Sequence, residues 1–134
     1  MLDPNSCVAS SKYDKTFSCN QAFDGNPETD WATKQQSIGA WIKLNLITTY
    51  HVQVVKIKQR GTHDLLERIG GILLEFADGT RVDYTLEKGT DDWQDVTLPT
   101  RPKTNFVKIQ IKSVYGIKKS LNYGFSEIQI YGCL

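Results

Sequence analysis

The chain has 134 residues, of which 40% are hydrophobic and 23% are charged, and its formal net charge is +1. This length and composition are those of one globular domain with its own core, which excludes an intrinsically disordered chain. The nearly balanced charge argues against broad electrostatic attraction to nucleic acid or to an anionic membrane, and no apolar run is long enough to span a bilayer.

The first five residues, Met1 to Asn5, do not form a signal peptide. We expect residues 1–5 to be disordered or left over from expression, and residues 6–134 to form a single domain. Two origins fit this start: a cytosolic chain, or a secreted precursor that has been trimmed.

Residues 22–33 combine turn-forming and oxygen-bearing side chains, after a short helical turn that we predict at residues 20–23. Asp24 and Thr29 contribute side-chain oxygens, while Gly25 and Pro27 fold the backbone so that carbonyl groups converge. A hard cation such as calcium binds roughly six to eight oxygen ligands, and such a turn helps to supply them. An ordinary turn that holds no ion is the alternative.

Apolar residues alternate with polar ones through the rest of the chain, which is typical of half-buried β-strands. The alternating apolar sets are Ile42, Leu44 and Leu46; Val107, Ile109 and Ile111; and Ile128 and Ile130. The pair Val54–Val55 interrupts this period and predicts a β-bulge. A turn at residues 77–80, between residues 69–76 and 81–86, predicts a hairpin. Many short strands separated by turns predict an all-β fold, a β-sandwich or jelly roll.

Four segments have a distinctive order and spacing along the chain. They are ASSKY at residues 9–13, GAWIKLNL at 39–46, VKIKQRG at 55–61 and GFSEIQIYGC at 124–133. In this order they resemble the discoidin, or coagulation-factor C-type, family of galactose-binding-like domains. The resemblance spans residues 6–133. It implies a jelly roll of the discoidin type and a compact extracellular module.

The resemblance also implies a structural calcium ion between the turn and a glutamate on the last strand. The residues at the matching positions are Asp24 and Glu127 for carboxylates, Thr29 for a hydroxyl, and Gln21, Asn26 and Ser126 for backbone carbonyls. Independently of the family, Glu127 is a carboxylate in an otherwise apolar strand, and such a charge needs a partner if it is buried. That partner is a cation shared with Asp24 or, alternatively, a lysine or arginine.

A disulfide between Cys7 and Cys133 is a further implication of the resemblance. It would join the two ends of the domain if the first and last strands are antiparallel neighbours. Cys19 is then either a small buried residue or a route to an intermolecular bridge. Three reduced thiols in a cytosolic protein are the alternative.

Binding in a sandwich fold is expected on loops at one end, and residues 34–38, 60–68 and 115–125 are the candidates. Sugar recognition needs hydrogen-bonding groups for neighbouring hydroxyls and an aromatic face for the C–H surface of the ring. The predicted ligand-binding residues are Arg60, His63, Asp64, Asn122, Tyr123 and Phe125. In sugar-binding members of the family, an arginine and an aromatic residue hold the positions of Arg60 and Tyr123. Alternatively, Arg60 and Asp64 pair across a loop and Phe125 belongs to the core.

Catalytic motifs are missing from the sequence, which contains no Gly-x-Ser-x-Gly, no phosphate-binding glycine loop and no His-Glu-x-x-His. We therefore expect a non-catalytic, calcium-containing, carbohydrate-binding module of a secreted or cell-surface protein. The alternatives are phospholipid binding, through Leu65–Leu66 and residues 117–119, and adhesion to an extracellular protein. Asp64 lies four residues after Arg60, which departs from the Arg-x-Asp pattern of fucose lectins.

Overall fold

The structure, a computed structural model, describes residues 1–60, 68–116 and 122–134. The strands in these ranges are β1 Ser6–Ala9, β2 Trp31–Ala32, β3 Trp41–Gln59, β4 Gly71–Phe76, β5 Arg81–Thr85, β6 Gln94–Thr97, β7 Lys103–Ile111 and β8 Gly124–Cys133. The helical elements of the same ranges are two 3₁₀ turns, Lys15–Phe17 and Cys19–Ala22. The short helical turn predicted at residues 20–23 is thus confirmed, displaced by one residue.

The long strand β3 organises the fold because its two halves belong to different layers. The first half, from Trp41 to Asn45, pairs with β7 and, over most of its length, with β1. The second half, from His51 to Gln59, pairs with β8 and, in its centre, with β6. β7 also pairs with β4, which pairs with β5, and β8 also pairs with β2. Every pairing is antiparallel. The strands therefore fold into the two layers of a β-sandwich that share β3.

The core between the layers is built from the alternating apolar residues. Every member of the three predicted sets is at most 6% exposed. Removing such side chains from water is the main favourable contribution to folding, about 1.5–3 kcal/mol for each one that is fully buried. The predicted all-β sandwich is confirmed.

The predicted hairpin and bulge are both found. Residues 77–80 connect β4 to β5, the Phe76 N–H donates to the Thr80 carbonyl at 3.0 Å, and Gly79 has a φ of +89°. This φ lies in the left-handed region that glycine adopts without strain. The β3–β8 register is irregular between Val52 and Val54, next to the predicted bulge at Val54–Val55.

The predicted disulfide between Cys7 and Cys133 is wrong, because Cys7 is bonded to Cys19 with a Cα–Cα distance of 6.1 Å. Strand pairing explains the difference. β1 pairs with β3 and not with β8, so Cys7 lies opposite Leu44 whereas Cys133 lies opposite His51. Roughly 20 Å of strand separates those two positions on β3. Cys133 is an exposed free thiol, and Cys19, which the family resemblance left unpaired, is the true partner.

The start of the chain is hydrogen-bonded to both layers. The Leu2 N–H donates to the Ile130 carbonyl at 2.7 Å, and the Asn5 N–H donates to the Asn45 carbonyl at 2.9 Å. Residues 2–5 therefore cross from β8 to the first half of β3. In the ranges that the structure describes, no helix has the length and apolar character needed to cross a bilayer.

Candidate functional site

Asp24 orders the turn at residues 24–29. Its Oδ1 accepts a hydrogen bond from the Asn26 N–H at 2.9 Å, and its Oδ2 accepts one from the Thr29 hydroxyl. The same hydroxyl lies 2.9 Å from the Asn26 carbonyl oxygen. Gly25 has a φ of +77°, which a residue with a side chain adopts only with strain. The turn therefore gathers oxygens of the predicted ligands Asp24, Asn26 and Thr29.

Glu127 is a buried carboxylate beside this turn. It is 3% exposed, its Oε1 accepts a hydrogen bond from the Gly25 N–H at 3.3 Å, and its buried Oε2 has no hydrogen-bond partner. Loss of hydration raises the pKa of Glu127 from its usual 4.5 to about 7; the Gly25 hydrogen bond opposes this rise and the nearby Asp24 adds to it. Among the described residues, no lysine or arginine forms an ion pair with Glu127. The salt-bridge alternative is therefore not supported.

A β-bulge in β8 lies next to Glu127. Glu127 pairs with Lys58 and Phe125 pairs with Gln59, so Ser126 is an extra residue in the ladder. Bulges redirect neighbouring side chains and free backbone groups from the ladder. The Ser126 hydroxyl also donates to the Pro27 carbonyl at 2.5 Å, which bonds β8 directly to the turn.

A pocket of about 190 Å³ lies where the turn meets β8 and the start of the chain, lined by residues 1–4, 23–25 and 127–129. Of the predicted metal ligands, Asp24 and Glu127 line this pocket, whereas Gln21, Asn26, Thr29 and Ser126 do not. The part of the chain that is described holds no group of three His, Cys, Asp or Glu side chains arranged for a metal ion. An ion here would depend on hydroxyl and carbonyl oxygens, and calcium stays a prediction.

Arg60, directly after β3, is the centre of a second region. Its Nε lies 3.0 Å from Asp30 Oδ2, its Nη1 donates to the Asn122 carbonyl at 2.5 Å, and its guanidinium lies 5.7 Å from the centre of the Phe17 ring. Only 11% of the Arg60 side chain and 16% of the Asp30 side chain is exposed. Arg60 therefore contacts three segments: it forms a largely buried ion pair with Asp30, a hydrogen bond with the Asn122 carbonyl and a cation–π contact with Phe17.

Two of the three predicted binding segments meet beside this arginine. The Gln35 N–H donates to Asn122 Oδ1 at 2.9 Å. The Thr33 N–H donates to the Tyr123 carbonyl at 2.9 Å, and the Tyr123 N–H donates to the Thr33 hydroxyl at 3.2 Å. We call residues 33–38 together with Arg60 and Asn122 the rim.

The rings of Tyr123 and Phe125 are not available as stacking faces for a sugar. Both residues have 0% exposed area. Phe125 stacks against the buried Trp31, with ring centres 5.8 Å apart and an angle of 29° between the rings. A side chain with no accessible area cannot contact a ligand, so the predicted stacking role is wrong for this conformation. The alternative that assigned Phe125 to the core is confirmed.

His63 and Asp64 lie outside the described residues, so their predicted roles and the Arg60–Asp64 pairing remain predictions. Sequence reasoning missed Asp30 and Phe17, the partners of Arg60. No local pattern could have indicated them, because Asp30 and Arg60 are 30 residues apart in sequence and only the closed sandwich brings them together.

Comparison with a known family identifies the chain. The family described as "Domain of unknown function (DUF7402)" matches residues 5–131. The chain belongs to the DUF7402 family. No curated protein matches this DUF7402 domain in sequence.

Several solved structures share the fold of this DUF7402 domain. The family 32 CBM from C. perfringens NanJ, in complex with galactose, has a TM-score of 0.77 and 19% identity over 93% of this chain and 91% of that one. Chitosan-binding module 2 from the chitosanase/glucanase of Paenibacillus sp. IK-5, in complex with chitotriose, has a TM-score of 0.77 and 20% identity over 98% of both chains. The lectin domain of lectinolysin, complexed with Lewis B antigen, has a TM-score of 0.76 and 19% identity over 94% of this chain and 91% of that one. These TM-scores establish the galactose-binding-like fold, and the low identities limit the comparison to the fold. Membership of the discoidin family stays a prediction.

Proposed function

We propose that this DUF7402 domain is a non-catalytic carbohydrate-binding module of an extracellular protein, and that the rim receives the sugar. The proteins of similar fold are a carbohydrate-binding module, a chitosan-binding module and a lectin domain. Their shared fold supports the class of function. The construction of the rim supports the position of the site on this chain.

The observation that carries the proposal is the convergence of distant segments on Arg60. A sugar site needs several polar groups held at fixed distances, and it gains precision when buried contacts hold them. Here Arg60 bonds to Asp30 and to the Asn122 carbonyl, while the Asn122 side chain accepts the Gln35 N–H. Arg60 supports the loops in this arrangement, in addition to any contact that it makes with the sugar.

Exposed side chains of the rim have the chemistry that a sugar requires. Gln35 carries an amide that both donates and accepts hydrogen bonds, and it has a φ of +55°. Such backbone strain persists only where the surrounding structure imposes it, and it is common at binding sites. Ile38 is 63% exposed and offers an apolar face to the C–H surface of a ring, in place of the buried aromatic rings.

We further propose that the pocket beside Glu127 holds a structural calcium ion. The buried Glu127 Oε2 lacks a partner, and a cation shared with Asp24 would supply one. The Thr29 hydroxyl and the carbonyls of Gln21, Asn26 and Ser126, residues that do not line the pocket itself, would have to complete the oxygen ligand set. The ion would tie the turn to β8 and would take no part in sugar chemistry.

Glycan-array binding of two glycine variants tests the rim. Gln35→Gly removes a rim side chain at positive φ. Arg101→Gly is the matched control, because Arg101 has a φ of +47° and its carbonyl contacts the His51 side chain, at the other end of the second half of β3. We expect both variants to raise the free energy of unfolding by about 1 kcal/mol, because glycine adopts positive φ without strain.

Only Gln35→Gly should weaken sugar binding, by roughly five-fold or more, since it removes a hydrogen-bonding group. Equal glycan binding by the two variants would contradict a sugar site at the rim.

Binding assays with the same protein distinguish a sugar ligand from a membrane ligand or a protein ligand. Binding to phosphatidylserine liposomes that free sugar does not reduce would favour a membrane ligand. Binding only to an extracellular protein would favour adhesion. The Cys7–Cys19 disulfide supports an extracellular setting, because structural disulfides persist in oxidising compartments.

A further inference from the structure

The start of the chain forms one wall of the pocket that contains Asp24 and Glu127. Residues 1–4 line this pocket together with residues 23–25 and 127–129. Hydrogen bonds from the Leu2 and Asn5 N–H groups to the two layers, at 2.7 and 2.9 Å, hold the intervening Asp3 at the pocket. Asp3 is exposed, whereas Glu127, which lines the same pocket, is buried.

The ionisable side chains that line this pocket are all acidic. Its lining residues include three carboxylates, those of Asp3, Asp24 and Glu127, and no lysine, arginine or histidine. An excess of carboxylates among the lining residues attracts a cation, and the buried Glu127 Oε2 without a hydrogen-bond partner points to the same class of ligand.

We propose that Asp3 is the outer carboxylate of the cation site, which attracts and retains a divalent ion from the mouth of the pocket without joining the inner ligands. The inference rests on the proposed calcium site. An outer role follows from the described residues, which contain no group of three acidic, histidine or cysteine side chains close enough to hold a metal together. Asp3 therefore acts through its electrostatic field or through a bridging water.

The size of the effect follows from Coulomb's law. A unit charge at about 8 Å from a divalent ion in a water-like dielectric changes the affinity by roughly five-fold. Salt screens such an interaction over about 10 Å at 0.1 M and over about 3 Å at 1 M. Removing the charge of a direct ligand would lower the calcium affinity further, and that loss of affinity would depend much less on salt.

Calorimetric titration with CaCl₂ tests the proposal, with wild type, Asp3→Asn, Asp3→Glu and Asp83→Asn compared at about 0.02 M and about 1 M NaCl. Asp83, on β5, is the matched control, because it is also an exposed aspartate but does not line the pocket. We expect Asp3→Asn to weaken calcium binding roughly five-fold at low salt and less than about two-fold at high salt. Asp3→Glu should bind as wild type does, and Asp83→Asn should change affinity by less than about two-fold.

The failures of the two proposals are distinguishable. If the wild type binds calcium and Asp3→Asn binds it equally well, the role of Asp3 is overturned and the calcium site is not. The same conclusion follows if Asp83→Asn weakens calcium binding as much as Asp3→Asn does. Equal weakening by Asp3→Asn at both salt concentrations overturns the outer role, because it indicates direct ligation. Absence of calcium binding by the folded wild type overturns the calcium site and this inference with it.

Discussion

The turn at residues 24–29 and the rim are both polar and rich in hydrogen bonds, but they are assembled over very different distances in sequence. In the turn, Asp24 binds groups that are two and five residues away. In the rim, the Gln35 N–H binds Asn122, which is 87 residues away. The internal hydrogen bonds of the turn are therefore local in sequence, whereas those of the rim form only after the sandwich has closed.

The two regions also differ in how their buried charges are balanced. At the rim, Arg60 and Asp30 neutralise each other within the protein. Beside the turn, Glu127 forms no ion pair with a lysine or arginine of the described residues, although Asp30 Oδ1 and Glu127 Oε2 alike lack a hydrogen-bond partner. The rim should therefore depend on its own ion pair, and the turn on a cation from solution or on protonation.

Breaking the Arg60–Asp30 pair should have the largest effect. Arg60→Ala leaves a largely buried carboxylate unpaired, and we expect the free energy of unfolding in urea to fall by about 3–5 kcal/mol. Asp30→Ala should produce a similar loss, and the double variant should lose less than the sum of the two.

The exposed pair of Lys56 and Asp95, 3.7 Å apart with side chains 35% and 51% exposed, is the control. Lys56→Ala should lower stability by less than about 1 kcal/mol. Similar losses for Arg60→Ala and Lys56→Ala would show that the rim pair is no more important than a surface contact.

Removing the disulfide should have the next largest effect. Cys7 and Cys19 are 12 residues apart in sequence, and opening a loop of this size lowers the free energy of unfolding by about 3 kcal/mol in the chain-entropy model. Urea unfolding of the double variant Cys7→Ser/Cys19→Ser measures this. Cys133→Ser should change stability by less than about 0.5 kcal/mol, because the thiol is exposed and free. A large loss for Cys133→Ser would refute this pairing.

Measuring the free energy of unfolding as a function of pH tests the raised pKa of Glu127. With a chelator present, the free energy of unfolding should fall by on the order of 2 kcal/mol as pH rises from 4.5 to about 7. In this window the folded state keeps the Glu127 proton and the unfolded state has lost it, so rising pH favours unfolding.

Subtracting the pH profile of Glu127→Gln from that of the wild type isolates this contribution. Excess calcium should remove the fall, because the ion stabilises the charged form. A difference profile that is flat between these pH values in chelator would contradict the raised pKa.

Much of the framework was predictable, because β-strands and tight turns are encoded over a few residues. The alternation of Ile42, Leu44 and Leu46 predicted a strand whose alternate residues are buried. Residues 77–80 predicted the hairpin, and the order Asp-Gly-Asn predicted the turn at Asp24. Each of these depends on periodicity or on backbone conformations that neighbouring residues determine.

The amino-acid sequence by itself thus determined an all-β chain with an oxygen-rich turn and a carboxylate in its last strand. Only the tertiary structure decided that β1 pairs with β3, which gives Cys7 the partner Cys19, and that Asp30 neutralises Arg60. It also decided that Tyr123 is buried and that Glu127 lies beside a bulge. The physical reason is that strand pairing and burial depend on contacts between residues far apart in the chain, which no local pattern specifies.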